Sequence, residues 1–207
     1  FGAGLQYDAF LTAFRVPNLL RDLLAAGALS SAFVTTFTQT LQQKGKDDAI
    51  RLSNRVATLI VTFITVVSII AWIFTPEVVQ LLAPGFFAVP GKAELTIELT
   101  RVMMPFLLLI ALAAQAMGML NAFNIYGIPA LASAFFNLGS IAGGLLLGYL
   151  IGPAIGLSPI AGMAYGVVLG GFLQFAVQWP SLRRCGVGYR ADWNVNDPGV
   201  RQILQLM

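Results

Sequence analysis

The 207-residue sequence has no histidine and a single cysteine, Cys185. The absence of histidine excludes a Ser-His-Asp triad, a Cys-His pair and a histidine-ligated metal site, and one cysteine cannot form an internal disulfide. Cys185 follows Arg183 and Arg184 where an apolar run ends, so we interpret it as a small residue at a helix end. None of these features implies a cofactor.

Charged residues are also scarce. They make up 10% of the chain, against 57% hydrophobic residues, whereas ordinary globular proteins carry about 25% charged residues. A soluble domain of this length could not bury so much apolar surface around one core, so the excess is expected to face lipid. The net charge of +3 does not indicate nucleic-acid binding, because the basic residues are not gathered on one face with aromatics between them.

Four apolar runs are long enough to cross a bilayer core of about 30 Å, which requires about 20 residues per helix. They cover 53–82, 99–123, 128–151 and 160–179, and residues that stop helices separate them at 83–91, 124–127 and 152–159. Extended by a few residues, the predicted spans are 53–82, 96–123, 128–151 and 159–182. The sequence therefore predicts an all-α integral membrane protein, a polytopic helical bundle over 1–190, followed by a linker and the start of another helix at 191–207.

The stretch 8–43 mixes charged residues into an apolar, helix-forming sequence. It could be an amphipathic surface helix, but 23–37 carries no charge, and an interfacial helix normally keeps a basic face along its length. We interpret it as a fifth span that is kinked or broken at Pro17.

Basic residues mark two connections. The loop 44–55 contains four and the segment 183–201 another four, and four predicted crossings lie between them, so both can be cytoplasmic. This orientation places Phe1 outside. Because the chain opens without a methionine and stops at Met207 within an apparent helix, we expect a fragment of a longer protein that has an upstream span.

Small residues recur at helix-packing spacing, with Gly162, Gly166 and Gly170 in one span and similar pairs between 139 and 152 in the span before it. Such ridges let helix backbones approach closely and predict a compact bundle. The uncharged polar residues of the spans suit hydrogen bonds between helices better than ligand binding: Gln115, Asn121, Asn124, Asn137, Gln174 and Gln178.

Charges at membrane depth are concentrated in the first stretch. An arginine at the bilayer centre costs at least about 2.5 to 3.5 kcal/mol and tends to mark a pathway or a buried pair. Arg21 heads a stripe of small residues, Ala25, Ala28, Ala32 and Thr35, that either packs on a neighbour or lines a cavity. Arg21 could bind an anion, or pair structurally with Asp8, Asp22 or a partner outside the chain. For Arg15 and Asp8, anchoring at the membrane interface is an equal alternative.

Several motifs of this sequence resemble the MurJ/MviN lipid II flippases. The opening block carries the most specific match, and the later ones follow in the family's order and spacing: Phe-Gly-Ala-Gly at 1–4, Asp8-Ala-Phe10, Phe14-Arg-Val-Pro-Asn-Leu-Leu-Arg21, Ala25 to Val34, Ala83-Pro-Gly-Phe86, Asn121 with Ile128-Pro-Ala130, and Gly170-Gly-Phe-Leu-Gln174.

The resemblance implies a two-lobe alternating-access transporter in the bacterial inner membrane. This chain would supply the first six-helix lobe without its first helix, and its partners would be the other lobe of the same chain, membrane lipids and lipid II, the undecaprenyl-diphosphate-linked peptidoglycan precursor. The family flips this precursor from the cytoplasmic to the periplasmic leaflet, and no enzymatic activity is implied.

By the same resemblance, Arg21, Asn18 and Arg15 would contact the substrate, and Asp8 would lie at the periplasmic gate. Ala26 departs from relatives that have an acidic residue there, which leaves a carboxylate role at that position unsupported.

Three other readings remain open. A related exporter would carry a different lipid-linked saccharide or a drug. A membrane-embedded prenyl-phosphate transferase would need an Asp-rich metal motif, which the sequence lacks. A purely structural bundle would explain the glycine ridges but not Arg21.

Overall fold

The computed structural model describes residues 4–25 and 28–206, and side chains outside 23–30 and 206. Within these residues all regular secondary structure is helical. A 3₁₀ turn covers 84–88, a π turn 146–150 and a second 3₁₀ turn 152–155. The α-helices are α1 (Leu5–Ala25), α2 (Ala28–Gln43), α3 (Lys46–Ile73), α4 (Thr75–Leu82), α5 (Lys92–Met103), α6 (Pro105–Ala122), α7 (Gly127–Leu145), α8 (Pro159–Ala176), α9 (Trp179–Arg184) and α10 (Pro198–Leu206).

Four helical segments of the described chain are long and apolar enough to cross a membrane. They cover Lys46–Ile73, Lys92–Ala122, Gly127–Leu150 and Pro159–Arg184, and they coincide with the four apolar runs of the sequence. The shortest has 24 residues, about 36 Å at 1.5 Å per residue, which exceeds the hydrocarbon thickness. The prediction of an all-α, polytopic membrane bundle is confirmed.

The first stretch forms two helices, α1 and α2, neither of which is among these four segments, so a fifth span over 8–43 stays a prediction. The predicted break at Pro17 is wrong, because α1 is one helix from Leu5 to Ala25, and a kink there stays a prediction. Proline removes only one backbone donor, and Pro17 is buried in a helix that packs closely on α5, so this packing holds the helix together. Residues 26–27, between α1 and α2, lie outside the described residues.

Glycines let α7 and α8 meet backbone to backbone. A Cβ atom added at Gly166 would lie 2.5 Å from the amide nitrogen of Gly144, and one at Gly162 would lie 2.4 Å from the Cα of Gly148. Real side chains do not tolerate such distances, so only glycine permits this approach. The glycine ridges therefore act in helix packing, as the sequence predicted.

Two apolar cores position the remaining helices. One joins α2, α3 and α6 through residues such as Phe37, Ile60 and Leu120, and α10 closes it with Val200 and Ile203. The other joins α1, α5 and α8, where the small Ala9 and Ala13 of α1 lie against Leu99 and Ala164. Because α1 buries this small-residue side, its opposite side faces outward.

Candidate functional site

The outward sides of the helices differ in polarity. Those of α3 and α7 are apolar and suit contact with lipid chains, with exposed residues Phe63, Val66, Ile69, Ile70, Leu131, Leu138, Ile141 and Leu145. The outward side of α1 is different, because charged residues interrupt its exposed leucines. In hydrocarbon a charged surface of this kind requires water, protein or a polar ligand opposite it.

Asp8, Arg15 and Asp22 are seven residues apart, which places them on one side of α1 two turns from each other. Asn18 lies on the same side, and Arg21 lies on its flank. We call these five residues the charged face of α1. At 1.5 Å per residue, Asp8 and Arg21 are about 20 Å apart along the helix axis, so the charges are spread along the helix and do not form a compact cluster.

Arg21 is paired with its sequence neighbour. Its Nε and one Nη donate to the same carboxylate oxygen of Asp22, at 3.1 and 2.9 Å. The side chains are 37% and 57% exposed, and exposed pairs of this type contribute about 0 to 1 kcal/mol. Both partners belong to one helix, so the pair joins no two elements, and Arg21 keeps further N–H donors for a ligand.

Arg15 is exposed and makes no ion pair or hydrogen bond with the described residues. Asn18 is partly buried, and its side-chain amide donates to the carbonyl oxygen of Phe14 at 2.8 Å, within its own helix. Of the three residues predicted to contact the substrate, the two arginines are therefore open to solvent, while the Asn18 amide already has a protein acceptor.

Asp8 binds a lysine that the sequence analysis did not single out. The Nζ of Lys92, the first residue of α5, donates to a carboxylate oxygen of Asp8 at 2.8 Å. The same ammonium lies 4.1 Å from the ring centroid of Phe86 in the 84–88 turn. We call this region, where α1 and α5 begin, the Lys92 end of the bundle.

The stripe predicted below Arg21 does not form one surface. Ala32 is buried in the core shared with α3 and α6, whereas Thr35 is exposed. The side chains of Ala25 and Ala28 lie outside the described residues. Within the described residues, Ala32 and Thr35 therefore lie in different surroundings.

The two basic connections meet at the opposite end of the bundle, which we call the Arg55 end. Arg55 of α3 donates to Asp192 at 2.7 Å and also binds Asp197, and the amide of Asn54 donates to the carbonyl oxygen of Gly188 at 3.1 Å. The Arg55 guanidinium and the backbone N–H of Asn194 hold the pKa of Asp192 below its usual range, so this carboxylate stays ionised at neutral pH. Loop 44–55 and segment 183–201 therefore lie on the same side.

Two buried glutamines tie helices together, as predicted for the polar residues of the spans. Gln115 of α6 donates to the carbonyl oxygen of Ser53 in α3 at 3.0 Å. Gln178, after α8, donates to that of Ala113 in α6 at 3.1 Å. In an apolar medium such bonds between helices help to hold the bundle together.

A cavity of about 410 Å³ lies among α3, α6 and the α8–α9 region. Its lining is almost entirely apolar and includes Phe172, Phe175 and Trp179, with no charged residue. An anion there would be desolvated without a compensating charge. The charged face of α1 is thus a better candidate than this cavity for an anionic ligand.

Comparison with known proteins assigns the family. A family model described as lipid II flippase MurJ matches residues 1–207. The lipid II flippase MurJ of Burkholderia cenocepacia is 33% identical over 211 residues, covering 100% of this chain and 40% of that protein. A probable lipid II flippase MurJ of Rhizobium meliloti is 35% identical over 208 residues, covering 99% and 38%.

A solved structure of a lipid II flippase MurJ in an inward closed conformation superposes with a TM-score of 0.75 at 22% identity. It covers 100% of this chain, which spans 41% of that protein, so the two share a fold over this part. The chain likewise spans about 40% of the length of the relatives above. Because the family model matches residues 1–207, the whole of this chain, the chain belongs to the lipid II flippase MurJ family.

Proposed function

We propose that this chain forms the first lobe of a lipid II flippase. Together with the other lobe of the same protein, it would move the undecaprenyl-diphosphate-linked peptidoglycan precursor from the cytoplasmic to the periplasmic leaflet by alternating access. The support comes from the family and from the names of its relatives, which are called flippases of lipid II. A role in transport, and not in catalysis, fits this family.

The observation that carries the proposal is the charged face of α1, with two arginines open to solvent, in contrast to the apolar outward sides of α3 and α7. A diphosphate cannot cross hydrocarbon without compensation, and arginine offers a permanent charge with a fork of donors that fits phosphate oxygens. Arg15 is free among the described residues, and Arg21 is held only by an exposed neighbour. Both could therefore turn to a substrate at little cost.

In this proposal Arg21 and Arg15 bind the diphosphate in succession, about 9 Å apart along the helix. The side-chain amide of Asn18 has a second N–H beside the one bound to Phe14, and this N–H would donate to the headgroup between them. Asp8 marks the gate at the Lys92 end. The other lobe would supply the opposite wall, and rocking between the lobes would open the cavity to each side in turn.

For the orientation, we propose that the Arg55 end is cytoplasmic and the Lys92 end periplasmic, in a bacterial inner membrane. Lysine and arginine accumulate on the cytoplasmic side of membrane proteins. Contacts between α3 and the segment 188–197 support a common side for loop 44–55 and segment 183–201.

The test replaces Arg21 in the full-length protein, in a bacterium depleted of its own lipid II flippase. Arg21→Ala is expected to abolish growth while its abundance in the membrane stays near normal, because an exposed side chain contributes little to packing. Arg21→Lys should retain partial function if charge alone suffices, and fail if the forked contact is needed. Arg184→Ala, at an exposed arginine away from the charged face, is the matched control and should grow normally.

A structural role for Arg21 gives a different pattern. If Arg21→Ala lowers the amount of folded protein, and Arg21→Ala with Asp22→Ala restores both abundance and growth, Arg21 is half of a structural ion pair. The anion-binding role would then be wrong.

A further inference from the structure

Lys92 occupies an unfavourable position for a lysine. It is the first residue of α5, where the helix dipole repels a cation, and its side chain is only 13% exposed. Burial of an ammonium without a partner is costly, so its charge needs compensating groups nearby. A cation at this position does not favour helix formation, so the charge calls for an explanation other than helix stability.

Two other segments compensate the charge. Asp8 of α1 accepts a hydrogen bond at 2.8 Å, and the ring of Phe86 in the 84–88 turn lies 4.1 Å from the ammonium. A carboxylate and an aromatic face are the two groups that stabilise a desolvated ammonium best. The ammonium thus joins three segments that are up to 84 residues apart in the sequence.

The dependence between the two partners is unequal. Asp8 is 51% exposed and stands in the first turn of α1, where the helix dipole favours an acid, so it would remain solvated and charged without Lys92. Lys92 is far more buried and requires Asp8. The pair therefore contributes little to the stability of α1. Its main effect is to fix the position of the Asp8 carboxylate and to neutralise its charge.

We infer that Lys92 is a positioning residue for Asp8, an assignment that rests on the proposed function. One carboxylate oxygen of Asp8 is fixed by the ammonium, and the negative charge at this end of the charged face is neutralised. Asp8 lies about 10 Å beyond Arg15 along the helix. A diphosphate that leaves Arg15 would be repelled by an unpaired carboxylate there, because both are negative. With Lys92 bound to Asp8, it meets a neutral pair instead. Lys92 and Phe86, which lie outside α1, thereby act together with the Asp8 end of the charged face.

The test compares Lys92→Met, Lys92→Arg and Lys92→Glu in the full-length protein. Lys92→Met, which keeps much of the volume, should lower transport about threefold to tenfold at normal membrane abundance. Lys92→Arg should retain most transport, since it can donate to Asp8 and stack on Phe86. Lys92→Glu should be worse than Lys92→Met, and adding Asp8→Lys should recover part of the loss. Lys46→Met is the matched control, at an exposed lysine that is the first residue of α3, and should have no effect.

A second readout separates positioning from general stability. A cysteine at Leu11, which is exposed one turn after Asp8, is labelled with a membrane-impermeant thiol reagent in a Cys185→Ser background. Its labelling rate should change in Lys92→Met and return in Lys92→Arg. Normal transport in Lys92→Met, or a transport loss matched by a loss of protein, would overturn the assignment. Arg21→Ala is measured in parallel: if it transports normally, the proposed function itself fails, whatever Lys92 does.

Discussion

Arg55 and Asp192 form an ion pair of 2.7 Å between residues 137 positions apart. The same guanidinium binds Asp197, whose other carboxylate oxygen accepts from the backbone N–H groups of Gly199 and Val200 at the start of α10. One arginine of α3 therefore holds both ends of the segment 192–197 and, through Asp197, the first turn of α10. The segment that leaves the bundle after α9 is thus fastened to α3 before α10 packs on α2.

Arg55→Ala should release this segment without unfolding the bundle. Two charge-assisted bonds are lost from a site that is about one fifth exposed, so local opening of 188–206 should become easier by about 1 to 3 kcal/mol. Hydrogen exchange of the full-length protein in detergent would show faster exchange in 188–206 and little change in α7 and α8. Arg51→Ala is the control, since Arg51 binds only Asp48 on its own helix. Equal exchange in both variants would show that Arg55 does not fasten the segment.

Glycine at the contact between α7 and α8 gives a prediction about folding. Even Gly166→Ala places a methyl group 2.5 Å from the Gly144 nitrogen and 2.6 Å from the Ser140 oxygen, so the helices must separate. Overpacking of this type costs about 1 to 3 kcal/mol or more, and the variant should lower the melting temperature and the yield of monodisperse protein. Gly85→Ala, where nothing lies within 4 Å of the added atom, should behave like the unmodified protein. A stable Gly166→Ala protein would mean that the two backbones are not in close contact.

The sequence predicted the local features of this fold well. Apolar runs locate the membrane helices because each helix satisfies its own backbone, and four-residue glycine spacing locates a packing surface because it lies on one side of one helix. The partners of Asp8 and Arg55 could not be predicted in this way. They are 84 and 137 residues distant, and periodicity within one helix contains no information about which other helix lies beside it.

The same limit applies to the candidate site. Asp8, Arg15 and Arg21 stood out because charge is rare in the chain, and this signal needs no tertiary structure. Lys92 gave no such signal, because a basic residue in a connection is common. The small-residue stripe met the same limit: its spacing could not show that neighbouring helices bury Ala32 and leave Thr35 exposed.

The proposed orientation can be tested with single cysteines in the full-length protein, in a Cys185→Ser background. Cysteines at Lys46 and Arg190 should be shielded from a membrane-impermeant thiol reagent in intact cells and should react after the membrane is permeabilised, because both lie at the Arg55 end. A cysteine at Val89, next to the Lys92 end, should react in intact cells. Val89 is preferable to its neighbour Gly91, which has a positive φ of 76° that a side chain would strain, and Val89 is 40% exposed in ordinary extended backbone. Labelling at Lys46 but not at Val89 would invert the topology, place Asp8 and Lys92 in the cytoplasm and contradict the proposed direction of transport along the charged face of α1.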